Sequence, residues 1–255
     1  MEKLFVNKMV VISGGMGDIG RAMAIEFAKH GSNIALCDLK PDHAATEFLD
    51  SLKQYNVSCT YAQVDVTDAA SVKEWIDAVE LKQGIPEIII ANAATVTLAS
   101  LYEITPEEWN RELRVNLDGA FHITQIGTAK LLQHKLPGRV VFIGSWAGYT
   151  PHPHIPAYCV SKAAMRMLCK CMALELAPHN ILVNELALGY VAAGLSGNIW
   201  KQDLELEEKA RSRVPVQKVM SAEQVALQVI QLCHPGNEHM TGSTILMDGG
   251  LSLLS

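Results

Sequence analysis

The regular alternation of short apolar runs with longer segments of helical period constrains the fold of this chain more than any other feature. The runs lie at residues 9–13, 33–37, 58–64, 87–91, 139–144, 181–188 and 243–247. Several of them are apolar without alternation, which is typical of strands that are covered on both faces. Strands that alternate with helices imply βαβ crossovers. We therefore predict an α/β fold, a single doubly wound domain over residues 1–255, with a seven-stranded parallel sheet and helices on both faces.

Between the runs, residues 19–30 and 105–132 have helical length and period. Two predicted helix starts carry capping chemistry: Thr105 is followed three residues later by a glutamate, and Ser221 by a glutamine at the same distance. The long excursion over residues 189–214 interrupts the alternation after the sixth run. Because this excursion follows the carboxyl end of a strand, we expect it to form a lid over a ligand crevice.

The composition excludes several classes of protein. With 49% hydrophobic and 19% charged residues, the chain can bury a large core and is not disordered. The net charge of −6 (21 − 27), without a Lys/Arg-rich run, argues against binding to nucleic acid or to a membrane. Charge returns at Lys8, so we expect no signal peptide. The six cysteines include no C-x-x-C pair, and we expect reduced thiols in a cytoplasmic protein.

A glycine-rich string follows the first apolar run and precedes a predicted helix. Glycines in that position let the chain turn sharply and bring backbone N–H groups against a pyrophosphate at the helix N-terminus. One register, with glycines at positions 15, 17 and 20, matches the general dinucleotide fingerprint. A tight turn without a ligand is the alternative interpretation. The predicted cofactor-binding residues of the string are Ser13, Gly14, Gly15, Gly17, Asp18, Ile19 and Gly20.

Asp38 ends the second run, 18 residues beyond Gly20. A carboxylate there can accept hydrogen bonds from both ribose hydroxyls of an adenosine, and it repels a 2′-phosphate. The alternative is an aspartate that opens a turn before Pro41. Lys40 could approach a phosphate, but the glycine-rich string contains no Lys or Arg to assist it. We expect NAD as the cofactor, with NADP less favoured.

The most specific pattern lies after the fifth run. Ser145 follows that run and should face the crevice, and Tyr158 lies thirteen residues later. Lys162 is four residues beyond Tyr158, on the same face of a helix. An ammonium about 5 Å from a phenol lowers its pKa by about 2 units at an effective dielectric constant of about 20. The spacing therefore predicts a phenol that can act as an acid or base near neutral pH.

These motifs resemble those of the short-chain dehydrogenase/reductase family, and the resemblance covers nearly the whole chain. The Ser…Tyr-x-x-x-Lys motif matches at Ser145, Tyr158 and Lys162, and the helical asparagine of the family matches at Asn116. The resemblance implies a Rossmann-type fold and hydride transfer between the cofactor and a secondary alcohol or ketone. It implies that Tyr158 is the general acid/base and that Lys162 also holds the nicotinamide ribose. It further implies that Ser145 orients the substrate oxygen and that Asn116 supports a proton-relay water.

The resemblance also implies cofactor contacts outside the glycine-rich string. Asp65 resembles the adenine-contacting aspartate of the family, Asn92 belongs to the segment after the fourth run, and residues 248–250 match the C-terminal D-G-G. The implied cofactor-binding residues are Asp38, Asp65, Val66, Asn92, Ala93, Tyr158, Lys162, Gly189 and Val191.

The chain departs from the family pattern at several positions. Asp18 replaces the second glycine; its carboxylate repels the cofactor if it points inward and costs little if it caps the helix or faces solvent. Ala91 and Ala94 replace an asparagine and a glycine, Leu188 a proline, and Ala193 a threonine. These departures motivate one alternative, a catalytically weak NAD-binding regulator or scaffold. A Rossmann-like methyltransferase that uses S-adenosylmethionine is a third hypothesis, disfavoured because no acidic residue precedes the string.

The predicted substrate is a small secondary alcohol or ketone, bound by aromatic and apolar residues near the motif. The candidates are Trp146, His152, Tyr190 and Leu195. A solvated loop position is the alternative for His152, and because no third ligand lies at metal spacing, we expect no metal. The helix after Tyr158 is apolar nearly all round, so one face should cover the sheet and another should meet a partner. The resemblance implies a homodimer or homotetramer; burial within one subunit is the alternative.

Overall fold

The computed structural model describes residues 3–194, 197 and 204–254. Across these residues, seven strands form one parallel sheet in the order β3-β2-β1-β4-β5-β6-β7. Each predicted strand is confirmed to within one residue at either end. The strands are β1 (Met9–Ser13), β2 (Asn33–Asp38), β3 (Cys59–Gln63), β4 (Pro86–Ala91), β5 (Gly138–Ser145), β6 (Ile181–Leu188) and β7 (Thr244–Met247).

Helices connect the strands and cover both faces of the sheet. They are α1 (Asp18–Lys29), α2 (Thr46–Leu52), α3 (Ala69–Gln83), α4 (Pro106–Leu113), α5 (Gly119–His134), α6 (Pro156–Leu176), α7 (Leu204–Arg213) and α8 (Ala222–Cys233). The capping boxes predicted at Thr105 and Ser221 are both confirmed, at the starts of α4 and α8. The predicted single helix over 105–132 is instead two helices, joined by a π-helical turn at Arg114–Asp118.

The two faces of the sheet carry separate apolar cores. On β1, Val10 and Ile12 point into a core shared with α1, α2 and α8, whereas Val11 points into a core shared with α3, α5 and α6. All three side chains are fully buried. Strands covered on both faces need apolar residues at successive positions, which is why the runs in the sequence lack alternation.

The strand order reverses beside β1, and this reversal places the ligand crevice. β1 pairs with β2 on one side and with β4 on the other, so the chain leaves the carboxyl ends of β1 and β4 in opposite directions. In sheets of this kind the ligand crevice opens at that point. Ser13, Asp38 and Ser145 each end a strand along this edge.

The predicted lid over residues 189–214 is described in part. Residues 189–194 leave β6 and α7 ends the segment, while Leu195, predicted as a substrate contact, lies outside the described residues. Of the cysteines, Cys37, Cys169 and Cys233 are buried and Cys171 is exposed, and all six are free thiols. No helix in the described part of the chain is long and apolar enough to cross a membrane.

Candidate active site

The glycine-rich string forms a tight turn between β1 and α1 in which some positions have no room for a side chain. Gly14 has φ +64°, and a Cβ there would lie 2.9 Å from the Cα of Ala93. A Cβ on Gly20 would lie 2.8 Å from the Cα of Gly15 and would also collide with the carbonyl oxygen of Gly14. At Gly17 the nearest atom would be 3.5 Å away, an ordinary contact. This close backbone packing fits a turn that brings N–H groups against a pyrophosphate.

The chain after β4 is tied to the glycine-rich turn. The Asn92 side-chain amide donates to the carbonyl oxygens of Ser13, at 3.0 Å, and Gly14, at 3.1 Å. The Ser13 hydroxyl accepts from the backbone N–H groups of Asn92 and Ala93, at 3.1 and 3.2 Å. These bonds cross from β1 to β4, at the strand-order reversal, and therefore fix the two walls of the crevice relative to each other.

Asp38, at the end of β2, supports the same turn from the other side. Its Oδ2 accepts from the backbone N–H of Met16 at 3.0 Å, and its Oδ1 accepts from the backbone N–H of Lys40 at 3.3 Å. The ammonium of Lys40 donates to the carbonyl oxygen of Met16 at 3.1 Å. The carboxylate is thus held at the strand end, and Lys40 is engaged by the turn.

Asp18 is the first residue of helix α1 and does not cap it. The N-cap is Gly17, and no side chain caps this end of the helix. The Asp18 Oδ2 instead accepts from the backbone N–H of Gly194 at 2.9 Å. This bond joins the glycine-rich turn to the segment that follows β6. The Asp18 side chain is exposed, which agrees with the solvent-facing environment among those predicted, but no prediction included a backbone partner in the segment after β6.

Ser145, Tyr158 and Lys162 come together at the opposite end of the crevice. The Ser145 Oγ, at the end of β5, accepts from the backbone N–H of Ala147 at 3.1 Å and hydrogen-bonds the Tyr158 phenol. Lys162 is 2% exposed, and its Nζ donates to the carbonyl oxygen of Ile143 at 2.8 Å. The Lys162 Nζ lies 5.5 Å from the centre of the Tyr158 ring.

Burial dominates the electrostatics of this group. Burial raises the pKa of Tyr158 to about 12, and the charge of Glu112 raises it further. The hydrogen bond with Ser145 acts in the opposite direction and lowers the pKa. Burial also lowers the pKa of Lys162 to about 8, although the charges of Glu185 and Glu112 raise it. The predicted lowering of the Tyr158 pKa is therefore wrong for the chain by itself. The sequence argument omitted the cost of placing the phenolate away from water.

Asn116 and Glu112 lie one helical turn apart and hold the wall of the crevice that follows β4. The Asn116 side chain accepts from the N–H of Thr95 at 2.8 Å and donates to the carbonyl oxygen of Thr95 at 2.9 Å and to Ser161 Oγ at 3.0 Å. The Glu112 Oε2 accepts from the N–H of Thr97 at 2.9 Å.

Helix and strand spacing explains why Asn116 and Glu112 contact Thr95 and Thr97. Residues four apart on a helix rise about 6 Å, and residues two apart on an extended chain span about 6.6 Å. Glu112 and Asn116 can therefore reach Thr97 and Thr95 in a matched pair. Sequence reasoning missed Glu112, which is fully buried, and burial raises the pKa of its carboxyl. The available signal was a glutamate four residues before Asn116, one turn away on the same predicted helix.

A buried ion pair lies behind Ser145, and sequence reasoning missed it as well. The Arg166 Nε donates to the Glu185 Oε2 at 2.9 Å, and the Glu185 side chain is fully buried. The same guanidinium donates to the carbonyl oxygens of Gly148, at 2.9 Å, and Ser145, at 3.3 Å. A Cβ on Gly144 would lie 2.7 Å from the Glu185 Cδ, so the carboxylate occupies the space that this glycine leaves open.

The two ends belong to one cavity of about 540 Å³. The predicted site residues that line it are Gly14, Gly17, Asp18, Ile19, Gly20, Asp38, Asn92, Ala93, Ser145, Trp146, His152, Tyr158, Lys162, Gly189, Tyr190 and Val191. The structure does not bring Ser13, Gly15, Asp65, Val66 or Asn116 to the cavity wall. Asp65 is exposed and accepts from the N–H of Thr67 at 2.9 Å, and Val66 is buried with its carbonyl oxygen 2.9 Å from the Nδ1 of His122.

The segment after β6 completes the cavity. The Gly189 N–H donates to the carbonyl oxygen of Met247 at 2.8 Å, and a Cβ on Gly189 would lie 2.7 Å from the Cα of Asp248. Val191 forms a bridge with Met220 and is buried. The residues that depart from the family pattern here, Leu188 and Ala193, both line the cavity. The strand end therefore holds its place through backbone bonds, without the proline of the pattern.

Comparison with known proteins agrees with this fold. The sequence profile of the family described as enoyl-(acyl carrier protein) reductase matches residues 15–252. The chain belongs to the short-chain dehydrogenase/reductase family, as the motifs predicted. Members of this family are NAD(P)-dependent oxidoreductases of CH–OH groups, and this chain is an enzyme of that class.

Individual relatives cover almost the full length. An NAD-dependent glycerol dehydrogenase from Listeria innocua is 31% identical over 250 residues, covering 97% of this chain and 94% of the relative. A solved structure of an NAD⁺-bound xylitol dehydrogenase is 27% identical with a TM-score of 0.90, covering 96% and 99% of the two chains. A short-chain dehydrogenase/reductase from Mycobacterium marinum is 25% identical with a TM-score of 0.91, covering 97% and 96%. Solved neighbours of this fold include both NAD-bound and NADP-bound chains.

Proposed function

We propose that this protein transfers a hydride between NAD and a secondary alcohol or ketone. The observation that carries the proposal is the single cavity, which is lined both by the glycine-rich turn with Asp38 and by Ser145, Tyr158 and Lys162. A dinucleotide held along the turn would share this cavity with the Tyr158 phenol. The NAD-dependent glycerol dehydrogenase relative supports this reaction class.

Tyr158 is the proposed general acid/base. In alcohol oxidation its phenolate takes the hydroxyl proton of the substrate, and in ketone reduction its phenol returns the proton to the nascent alkoxide. Ser145 already hydrogen-bonds the phenol, and it would share the same substrate oxygen and stabilise the charge that develops there. When bound, NAD supplies the hydride acceptor, and the positive charge of its oxidised nicotinamide favours the phenolate.

Lys162 is the proposed link between the phenol and the cofactor ribose. Its buried ammonium lies beside the Tyr158 ring and favours the phenolate, in the direction opposite to burial. Asn116 is the proposed support for a proton-relay water. The Asn116 amide nitrogen already donates to the Thr95 carbonyl oxygen and to Ser161 Oγ. We therefore propose that the backbone of the π turn binds the relay water, because its hydrogen bonding is irregular.

We propose NAD rather than NADP as the cofactor. The Asp38 carboxylate lies at the end of β2 on the cavity wall, where it would accept from ribose hydroxyls and repel a 2′-phosphate. The only nearby ammonium, among the described residues, is that of Lys40, and it is hydrogen-bonded to the Met16 carbonyl oxygen. Fluorescence titrations of the wild-type protein with NADH and with NADPH test this preference directly.

The test of the proposed reaction is NAD-linked turnover of a panel of secondary alcohols by the wild-type protein and by Tyr158→Phe. We expect the substitution to lower kcat/KM by about 10²- to 10⁴-fold, the usual contribution of a general acid/base. NADH binding, followed by fluorescence, should remain within a few-fold of wild type. Binding without turnover in the wild-type protein would instead identify the NAD-binding regulator or scaffold.

We further propose that the chain assembles through α6. The apolar residues Val160, Met167 and Leu174 recur every seven residues along that helix and are 46%, 60% and 81% exposed. The opposite face of α6 is buried against the sheet. An exposed apolar stripe of this kind favours a second copy as its partner. Light scattering of the wild-type protein and of Leu174→Glu tests this, and an unchanged monomer mass in both would contradict it.

A further inference from the structure

The substrate end of the cavity carries one cation that the proposed mechanism does not use. Arg213 ends α7 and lines the main cavity together with Tyr158 and Ser145. It also lines a second cavity of about 310 Å³, which shares Trp146, His152 and Pro153 with the first. Within residues 3–194 and 204–254, no hydrogen bond or ion pair engages its guanidinium.

Aromatic rings form the part of the cavity wall that adjoins Arg213. The Trp146 ring packs edge-on against His152, with ring centres 4.1 Å apart, and edge-on against Tyr190, with centres 5.6 Å apart. Trp146 is 5% exposed, so it is a fixed surface. The Nε2 of His152 is buried and has no hydrogen-bond partner among the described residues. Burial lowers the pKa of His152, and the charge of Arg213 lowers it further, which keeps the ring neutral near pH 7.

Acidic and basic side chains lie at different ends of the cavity. The acidic groups among the described residues of its wall, Asp18 and Asp38, both lie on the cofactor side. Of the described lining residues only Lys162 and Arg213 are cationic, and Lys162 is buried and bonded to a backbone carbonyl. Among the described lining residues, Arg213 is therefore the one accessible cation, and those around it at the substrate end are apolar or neutral, in a chain whose net charge is −6.

We propose that Arg213 binds a carboxylate of the substrate, so that the preferred substrates are secondary alcohols or ketones that carry a carboxylate away from the reacting carbon. A planar guanidinium can donate two parallel hydrogen bonds to a carboxylate. A single arginine matches the single charge of a carboxylate better than the double charge of a phosphate. The neutral His152 beside it offers a nitrogen to a hydroxyl or carbonyl of the same substrate. This inference rests on the proposed hydride transfer.

The experiment compares alcohols that carry a carboxylate with uncharged counterparts of similar size. Two pairs serve as probes: 3-hydroxycyclohexanecarboxylate with its carboxamide, and D-gluconate with D-glucitol. NAD-linked kcat/KM is measured for the wild-type protein, Arg213→Met and the control Arg211→Met. Arg211 lies on the same helix and is exposed, but it pairs with Glu208 and does not line the cavity. Calorimetric titration with the same probes, with and without NADH, measures binding independently of turnover.

We expect the wild-type protein to prefer the acid in at least one pair by about 10- to 100-fold, the usual value of a hydrogen-bonded charge pair. Arg213→Met should abolish that preference by slowing the acid alone, and Arg211→Met should leave it intact. Equal use of acid and neutral partner by the wild-type protein, or equal losses in the two variants, would overturn the proposal. Failure of every probe to bind or react would also overturn it.

The two proposals can fail separately. Turnover without a preference for the acid would leave the dehydrogenase function intact and remove the carboxylate subsite. Carboxylate binding that requires Arg213, without turnover of either pair in the wild-type protein, would leave the subsite intact and count against the proposed reaction. Thermal unfolding of Arg213→Met, an exposed position, confirms that the variant is folded.

Discussion

The two ends of the cavity differ in the groups that form their walls. At the cofactor end, the walls are mainly backbone atoms held together by hydrogen bonds, and Gly14, Gly20 and Asn92 bring the chain segments close to one another. At the catalytic end, the walls depend on buried charge. Lys162 has almost no exposed surface, and the fully buried Glu185 pairs with Arg166. The same cavity thus joins a site defined by shape to a site defined by electrostatics.

This difference determines how each end responds to substitution. A site made of backbone is affected more by a side chain that occupies its space than by a change of charge, because buried atoms have no room to move. A site made of buried charge tolerates modest changes of shape and fails when one member of a pair is removed, because the other charge then remains buried without a partner. Four predictions test this contrast.

The largest effect is expected from Arg166→Met. It leaves Glu185 fully buried without its cation and removes the donor to the carbonyl oxygens of Ser145 and Gly148. Breaking a buried pair on one side costs about 3–5 kcal/mol, so thermal unfolding should move down by about 6–20 °C for a chain of this size. A change within the error of wild type would contradict the structural role of this pair.

The double variant Arg166→Met/Glu185→Leu serves as the control for that experiment. Removal of both charges should restore much of the lost stability, because two apolar side chains leave no unpaired ion. Turnover should stay low, since the backbone at Ser145 and Gly148 has still lost its donor. Recovery of both stability and turnover would show that the pair does not position Ser145.

The next effect tests shape at the cofactor end. Gly20→Ala places a methyl group against the backbone of Gly14 and Gly15, whereas Gly17→Ala meets only an ordinary contact at 3.5 Å. We expect Gly20→Ala to weaken NADH binding by about 100-fold, equivalent to about 2.7 kcal/mol and within the range for overpacking. Gly17→Ala should weaken it by less than about 3-fold, since its φ of −77° suits alanine. Equal effects of the two variants, measured by fluorescence titration, would contradict the assignment.

Asp38→Ala should have a smaller effect, with opposite signs for the two cofactors. Loss of the carboxylate removes hydrogen bonds to ribose hydroxyls, so NADH binding should weaken by about 10-fold. NADPH binding should strengthen, because the repulsion of a 2′-phosphate is gone. Asp38→Asn is the matched control, since it keeps the acceptor for the N–H of Met16. Tighter NADPH than NADH binding by the wild-type protein would overturn the charge argument.

Glu112→Gln should change the pH dependence more than the maximal rate. The negative charge of Glu112 raises the pKa of Tyr158 and of Lys162, so its neutralisation lowers both. Alcohol oxidation requires the phenolate, and the acidic limb of the kcat/KM profile should therefore move to lower pH. The exposed Glu107 on the same helix provides the control variant Glu107→Gln. A profile that is unmoved, or moved to higher pH, would exclude an electrostatic role for Glu112.

Much of the fold could be predicted from local patterns. The apolar runs located all seven strands to within one residue, because a strand buried on both faces must be apolar at successive positions. The capping boxes at Thr105 and Ser221 were readable because an N-cap and its partner lie only three residues apart. The π turn at Arg114–Asp118 was not readable, since it depends on how Asn116 engages the backbone of Thr95 across the crevice.

The fold class, the glycine-rich turn, the place of Asp38 and the spacing of Ser145, Tyr158 and Lys162 could all be predicted from local patterns, because each depends on residue types at short spacing or at strand ends. No local pattern indicated the pairing of Arg166 with Glu185, the bond between Asp18 and Gly194 or the place of Arg213 beside His152, which depend on how the folded chain brings distant segments together. It also reversed the predicted direction of the Tyr158 pKa shift. The physical reason is the same in each case: desolvation and pairing depend on groups that meet only in the folded chain.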